Sequence, residues 1–210
     1  MYNLSYFKEQ DPARILQFVR EHPFAFLTGC DADNKPVATQ VPLFIDEKEG
    51  RIFLSGHIMK QTDHHKAFDH NPNVLAVFTG AHSYVSASWY VNKQVASTWN
   101  YMSVHAKGVL RFLGEQELLN VLKRTTNHFE NNPHSGANYE DIPQEYINRL
   151  SKAIVAFEIE VQSMDHVFKL SQNHEEKNYS SIIDHLKSQD HDGAIIAAEM
   201  EARKDAVFNK

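Results

Sequence analysis

Between Ser86 and Gly108 the chain reads SASWYVNKQVASTWNYMSVHAKG, and this short region holds both tryptophans of the 210 residues. Trp89, Trp99 and Tyr101 offer planar apolar faces. Ser86, Ser88, Thr98, Asn100 and His105 beside them offer hydrogen-bonding edges. A planar ring ligand with a charged tail asks for that pairing, together with cations for the tail. The same aromatics serve equally well as core or subunit-interface residues. Burial accounts for the rings more easily than for the polar neighbours.

A second stretch, FLSGHIMKQTDHH, reads as strand, turn and helix start. Ser55, Gly56, His57, Lys60, Gln61 and Thr62 would place a close-approach backbone, polar donors and a cation beside a helix N-terminus, where unpaired N–H groups favour an anion. That is the pattern of a phosphate cradle. Asp63 is a competing carboxylate, and ordinary turn and surface roles for Gly56 and Lys60 remain open on these residues alone. The 13 histidines invite a metal reading, but His57, His64, His65 and His70 lack HExxH or zinc-finger spacing, so a solvated, pH-sensitive helix surface is the expectation and no metal is assigned. No nucleophile elbow or catalytic cysteine pattern is present, and no catalytic residue is assigned.

These residues must be positioned by a chain whose hydrophobic period is largely that of strands. Asp11 and Pro12 open a helix that ends at His22-Pro23. FAFLTGC, VATQVPLFID and RIFLSGH read as strands, the first two joined by the turn DADNKP. Thr62 caps a short helix that stops before Pro72. NVLAVFTG and SYVSASWY read as further strands, and STWNYMSVHAKGVLRFL as a long one interrupted near Gly108. A helix over 115–130, a polar loop, a helix over 144–150 and a bent final strand to Leu170 follow, and the remainder is helical. Strands in hairpin-like succession predict an α+β fold with a mostly antiparallel sheet, closed into a small barrel with peripheral helices. One barrel domain over 1–170 and a helical C-terminal extension over 171–210 packed on it are expected. No GxGxxG or GxxxxGKS occurs, which removes the main support for dinucleotide-binding and P-loop folds.

Composition sets the remaining bounds. With 42% hydrophobic residues the chain can bury a substantial core. The net charge of −6, with cations scattered rather than clustered, argues against a strong footprint for nucleic acid or anionic membrane. The single cysteine, Cys30, forms no intramolecular disulfide and reads as a small buried hydrophobe. No apolar run approaches the roughly 18 residues of a membrane span. A cytoplasmic protein without membrane contact is expected.

HPFAFLTG, LSGHIMKQ, YVSASWY, STWNYMSVHAKG and FKLSQN resemble, in order, the successive motifs of the PaiB-type proteins, the FMN-binding negative transcriptional regulators. The similarity runs from about residue 1 to 200. It implies an FMN-binding split β-barrel, similar to flavin reductase and pyridoxamine phosphate oxidase domains, assembled as a homodimer with cofactor sites between subunits. Carried over residue by residue, it implies His57, Lys60 and Gln61 for the FMN phosphate side and Ser86, Ser88, Trp89 and Tyr90 for the flavin pocket. Thr98, Trp99, Asn100 and His105 follow in the second motif. The chain departs from the family pattern at Thr62-Asp63, and at VAST, where a proline more usually precedes the threonine. Lys169 to Asn173 match the family without an evident chemical role beyond capping a strand end.

Three functions follow as expectations. The family implies repression of transcription; the best paired-helix candidate, EEKNYSSIIDHLKSQDHDG, is acidic, so direct DNA binding is doubtful and indirect action is favoured. The alternatives are a flavin-dependent oxidoreductase acting on a small substrate, and a split-barrel dimer that has lost its cofactor.

Overall fold

Asp11 accepts from the Ala13 N–H at 2.9 Å and so caps α1 (Pro12–Glu21). The hairpin of β1 (Phe24–Cys30) and β2 (Pro36–Pro42) is closed by the Asp31 carboxylate, which accepts from the N–H groups of Asp33 and Lys35, both at 2.9 Å. The sequence reads Val37 to Asp46 as one strand, but the structure breaks it at Leu43. Pro42 has no N–H to continue the ladder, and the Leu43 N–H turns away to the Pro23 carbonyl at 2.8 Å. Phe44–Lys48 is therefore a separate strand, β3, paired with β4 (Arg51–Met59).

Thr62 caps α2 (Asp63–His70), its Oγ1 accepting from the His65 N–H at 3.2 Å. β5 runs unbroken over Asn73–Val85, and SASW is not strand but a 3-10 turn, Ala87–Trp89. The Ser86 hydroxyl accepts from the Ser88 N–H at 3.2 Å, so a local side-chain bond takes the backbone out of the ladder. β6 (Thr98–Phe112) is likewise unbroken at Gly108. α3 (Glu115–Glu130), α4 (Gln144–Leu150), β7 (Ile154–Lys169), α5 (Glu176–Leu186) and α6 (His191–Phe208) complete the chain.

In this computed structural model, which describes residues 1–209, the strand order is β2-β1-β5-β6-β7-β4-β3 and the registered pairs are antiparallel. The fold is α+β, of the split-barrel class. The chain forms two compact units that interleave in sequence: Met1–Phe18, Thr79–Val104 and Asp165–Lys210 in the first, Val19–Phe78 and His105–Met164 in the second. In the first unit, α5 buries Tyr179, Ile182 and Leu186, and α6 buries Ile196 and Met200; the Tyr179 hydroxyl donates to the Met200 carbonyl at 2.9 Å. In the second unit, Leu27, Leu54, Phe157 and Ile159 are fully buried on their strands. Among the described residues no helix is long and apolar enough to cross a membrane.

Glu158 on β7 is buried in the second unit. Lys48 Nζ donates to it at 2.7 Å and an Arg111 guanidinium nitrogen at 2.8 Å. Burial alone would raise its pKa, but the two cations outweigh that and hold the carboxyl below its ordinary range.

Gly108 is required by close approach rather than by a strand break. A Cβ there would lie 2.3 Å from the Glu160 carbonyl oxygen of β7, an obstacle made of backbone. Gly108→Ala is expected to destabilise by at least about 2 kcal/mol, at the upper end of overpacking costs. Gly136, in open space with φ of 72°, should cost only about 1 kcal/mol as alanine, from left-handed backbone strain. Urea denaturation of the two variants checks this, and equal midpoints would contradict it.

Candidate functional site

The phosphate-side candidates lie in the second unit. His57 sits in β4 opposite Ala156 of β7, half-buried, and burial lowers its pKa so that the neutral ring is favoured. Lys60 and Gln61 follow the strand, both exposed, with Gln61 at φ of 66°, a left-handed residue that turns the chain toward α2. At the start of α2, where the sequence suggests a phosphate cradle, two backbone donors are engaged within the chain. The Asp63 carboxylate accepts from the His64 N–H at 2.8 Å and Thr62 accepts from His65, so these donors are consumed by the chain's own oxygens. Lys60 faces solvent. His64 bonds to Asp63 and His65 packs on Phe112 at 4.9 Å; among the described residues no three metal-ligating side chains converge. His105 also falls in this unit, half-buried on β6.

The ring-side candidates lie in the first unit and separate into two groups. One is tied to α5. The Trp89 indole stacks on His185 at 5.0 Å and 13°, its carbonyl accepts from Ser181 at 2.7 Å, and the Val91 N–H donates to Asn178 at 2.9 Å. Tyr90 packs on His174 at 4.7 Å. Its hydroxyl is buried without a hydrogen-bond partner, and burial, with Tyr84 nearby, raises its pKa. Ser86 and Ser88 bond to each other, Oγ to Oγ at 2.8 Å.

The other group is the start of β6. Trp99 is 52% exposed, with His82 at 5.9 Å and Tyr84 at 5.8 Å between ring centroids. A cleft of about 300 Å³ opens beside it, walled also by Gly80, Tyr101 and Met102. Asn100 points the other way, as strand alternation requires. It is fully buried, accepting from the Ser171 hydroxyl at 2.9 Å and donating to the Met200 sulfur at 3.4 Å, so its side chain is spent in the core. Thr98 accepts from Lys169 Nζ at 2.5 Å, and the Trp99 carbonyl from the same ammonium at 2.6 Å.

The KLSQN segment, whose role the sequence left open, is thus a clamp on TWN. Lys169 holds Thr98 and Trp99, and Ser171 holds Asn100. Gln172 closes the turn by donating to the Phe168 carbonyl at 2.6 Å. Burial lowers the pKa of Lys169, and burial together with the Lys169 charge lowers that of His174. The sequence missed Lys169, His174 and His185 as partners of the aromatic motifs because the contacts span between 70 and 96 residues of chain. Within the first unit Trp99 offers a half-exposed indole over an apolar cleft, and within the second Lys60 offers an exposed ammonium.

The family model described as "Putative FMN-binding domain" matches residues 1–163. Over 200 residues the chain is 30% identical to the protease synthase and sporulation protein PAI 2 of Bacillus subtilis (strain 168), covering 95% of this chain and 96% of that protein. Two solved structures share the fold. A flavocytochrome of Azotobacter vinelandii superposes with TM-score 0.57 at 14% identity, over 86% of this chain and 78% of that one. An FAD and haem binding protein of Mycobacterium smegmatis gives 0.55 at 15%, over 77% and 72%.

Ser171→Ala should leave the buried Asn100 carbonyl without this donor and destabilise by about 1 to 3 kcal/mol in chemical denaturation; an unchanged midpoint would show the bond to be dispensable. The depressed pKa values of His57, His166 and His174 carry a second expectation. Their unfolded forms bind protons first as pH falls, so the stability they contribute is complete above about 6.5 and is lost as pH drops from there through their folded pKa values. Denaturation midpoints measured from pH 8 to 5 should fall on the acid side, and a flat profile would contradict the burial of these rings.

Proposed function

The chain belongs to the FMN-binding family that includes the PaiB-type proteins, and from that premise we propose that it is an FMN-dependent regulatory protein acting indirectly rather than by reading DNA. FMN is the cofactor of this family. When bound it supplies reversible electron and hydride chemistry and a visible absorbance. In this reading Lys60 serves the phosphate and Trp99 offers a ring face, while Tyr90 brings an unused phenol. Trp89 and Asn100 act by positioning, since their side chains are engaged within the chain.

The family match over residues 1–163 is the observation that carries the cofactor. The regulatory half rests on the likeness to the Bacillus sporulation protein. Indirect action is favoured by charge: on the paired C-terminal helices Glu176, Asp184, Asp192, Glu199, Glu201 and Asp205 outnumber Lys177, Arg203 and Lys204, a poor surface for phosphate backbone. We read the protein as a cytoplasmic homodimer, because Trp99 and Tyr84 form an exposed aromatic face of the kind that self-association covers.

Adding FMN to the purified protein should give a flavin spectrum shifted from that of free FMN, with no sustained oxidation of NADH or NADPH. Sedimentation velocity should show a dimer that FMN tightens in a concentration-dependent way. Rapid turnover would replace the regulatory reading by an oxidoreductase, and absent binding would leave an interaction module. A salt-sensitive footprint at one operator would overturn indirect action.

A further inference from the structure

The second unit contains a cavity of about 380 Å³ with Lys60 on one wall and Asn148 and Lys152, from α4 and the turn after it, on another. Leu118 and Ile154 line its apolar part. The two lysines are brought together by backbone, not by the choice of rotamer. The Lys60 N–H donates at 2.8 Å to the carbonyl of Ala153, the residue after Lys152, where the β4–β7 ladder ends at Met59↔Ile154. Among the described residues neither ammonium has an ion-pair partner; Glu115, the carboxylate lining the same cavity, pairs with neither. Asn148 accepts from Gln144 through Oδ1 at 2.8 Å, which leaves its NH2 free to donate.

Two like charges sharing one cavity repel, and an anion between them turns that repulsion into two charge-assisted hydrogen bonds. We propose that Lys152, with the Asn148 amide, is the second half of a phosphomonoester site begun by Lys60. The inference rests on the reading of this chain as an FMN protein for the source of that monoester, the flavin tail; free phosphate is the other source of the same chemistry. It also explains how a phosphate is served although the first turn of α2 has spent its donors on Thr62 and Asp63. The cations come from two segments far apart in sequence.

The test uses the full chain as wild type, Lys60→Ala, Lys152→Ala, Lys152→Arg and the double alanine variant. Each is titrated with FMN, riboflavin and inorganic phosphate, and its thermal midpoint is measured. Each single alanine variant should weaken FMN binding by about tenfold to a hundredfold while riboflavin affinity stays the same, as expected for loss of a charge-assisted contact to phosphate. Lys152→Arg should restore most of the loss, which separates charge from folding. Millimolar phosphate should compete with FMN in wild type and not in the double variant. If Lys60→Ala loses FMN and Lys152→Ala does not, the two-lysine site is wrong and the FMN reading stands. If wild type binds FMN and neither substitution matters, the phosphate lies elsewhere and the proposal falls. If wild type binds phosphate through Lys152 but binds no flavin, the anion site is upheld and the FMN reading fails.

Discussion

Lys169 is the side chain on which the aromatic half of the molecule turns. Its ammonium is partly buried at the end of β7, where desolvation opposes its charge, and it is offset by short bonds to the Thr98 hydroxyl and the Trp99 carbonyl. Those bonds fix the backbone of Trp99, whose half-exposed indole packs beside His82 and Tyr84. Two residues on, Ser171 adopts a left-handed backbone, with φ of 64°, which a serine does at a cost. That turn delivers its hydroxyl to the buried Asn100 and lets Gln172 close on Phe168.

The second unit is governed by a different constraint, the closeness of β6 and β7. Gly108 admits the Glu160 carbonyl where any side chain would collide. Beside it the buried Glu158 gathers Lys48 from β3 and Arg111 from β6. The β4–β7 ladder continues from these residues to Met59↔Ile154, and the next hydrogen bond, Lys60 to Ala153, sets the end of β4 beside the turn that carries Lys152. The geometry of the lysine cavity is thus a consequence of strand register, and a slip of one residue in β7 would exchange its inward and outward faces.

Trp89 and Trp99 show how similar motifs acquire different tasks. Both stand in a Ser/Thr-rich context with a neighbouring polar side chain. Trp89 falls in a 3-10 turn and is covered by His185, whereas Trp99 lies on the outward face of a strand beside His82 and Tyr84. A ring with a stacked partner in its own chain positions its loop. A ring with an open face is available to a ligand or to a second subunit.

Local chemistry made much of this legible. Asp11-Pro12, Thr62 and the Asp31 turn announce their caps and bends through side chains that act within four residues, and the inward alternation of β5 and much of β6 follows from the two-residue period of a strand. The ordered motifs likewise carried the family and its cofactor. Tertiary structure decided what depends on contacts between distant segments: that Gly108 is a close approach and not an interruption, that KLSQN clamps TWN, and that Lys60 shares a cavity with Lys152. None of these has a local signature, because a glycine, a lysine or a buried asparagine looks the same in sequence whatever lies across the ladder from it.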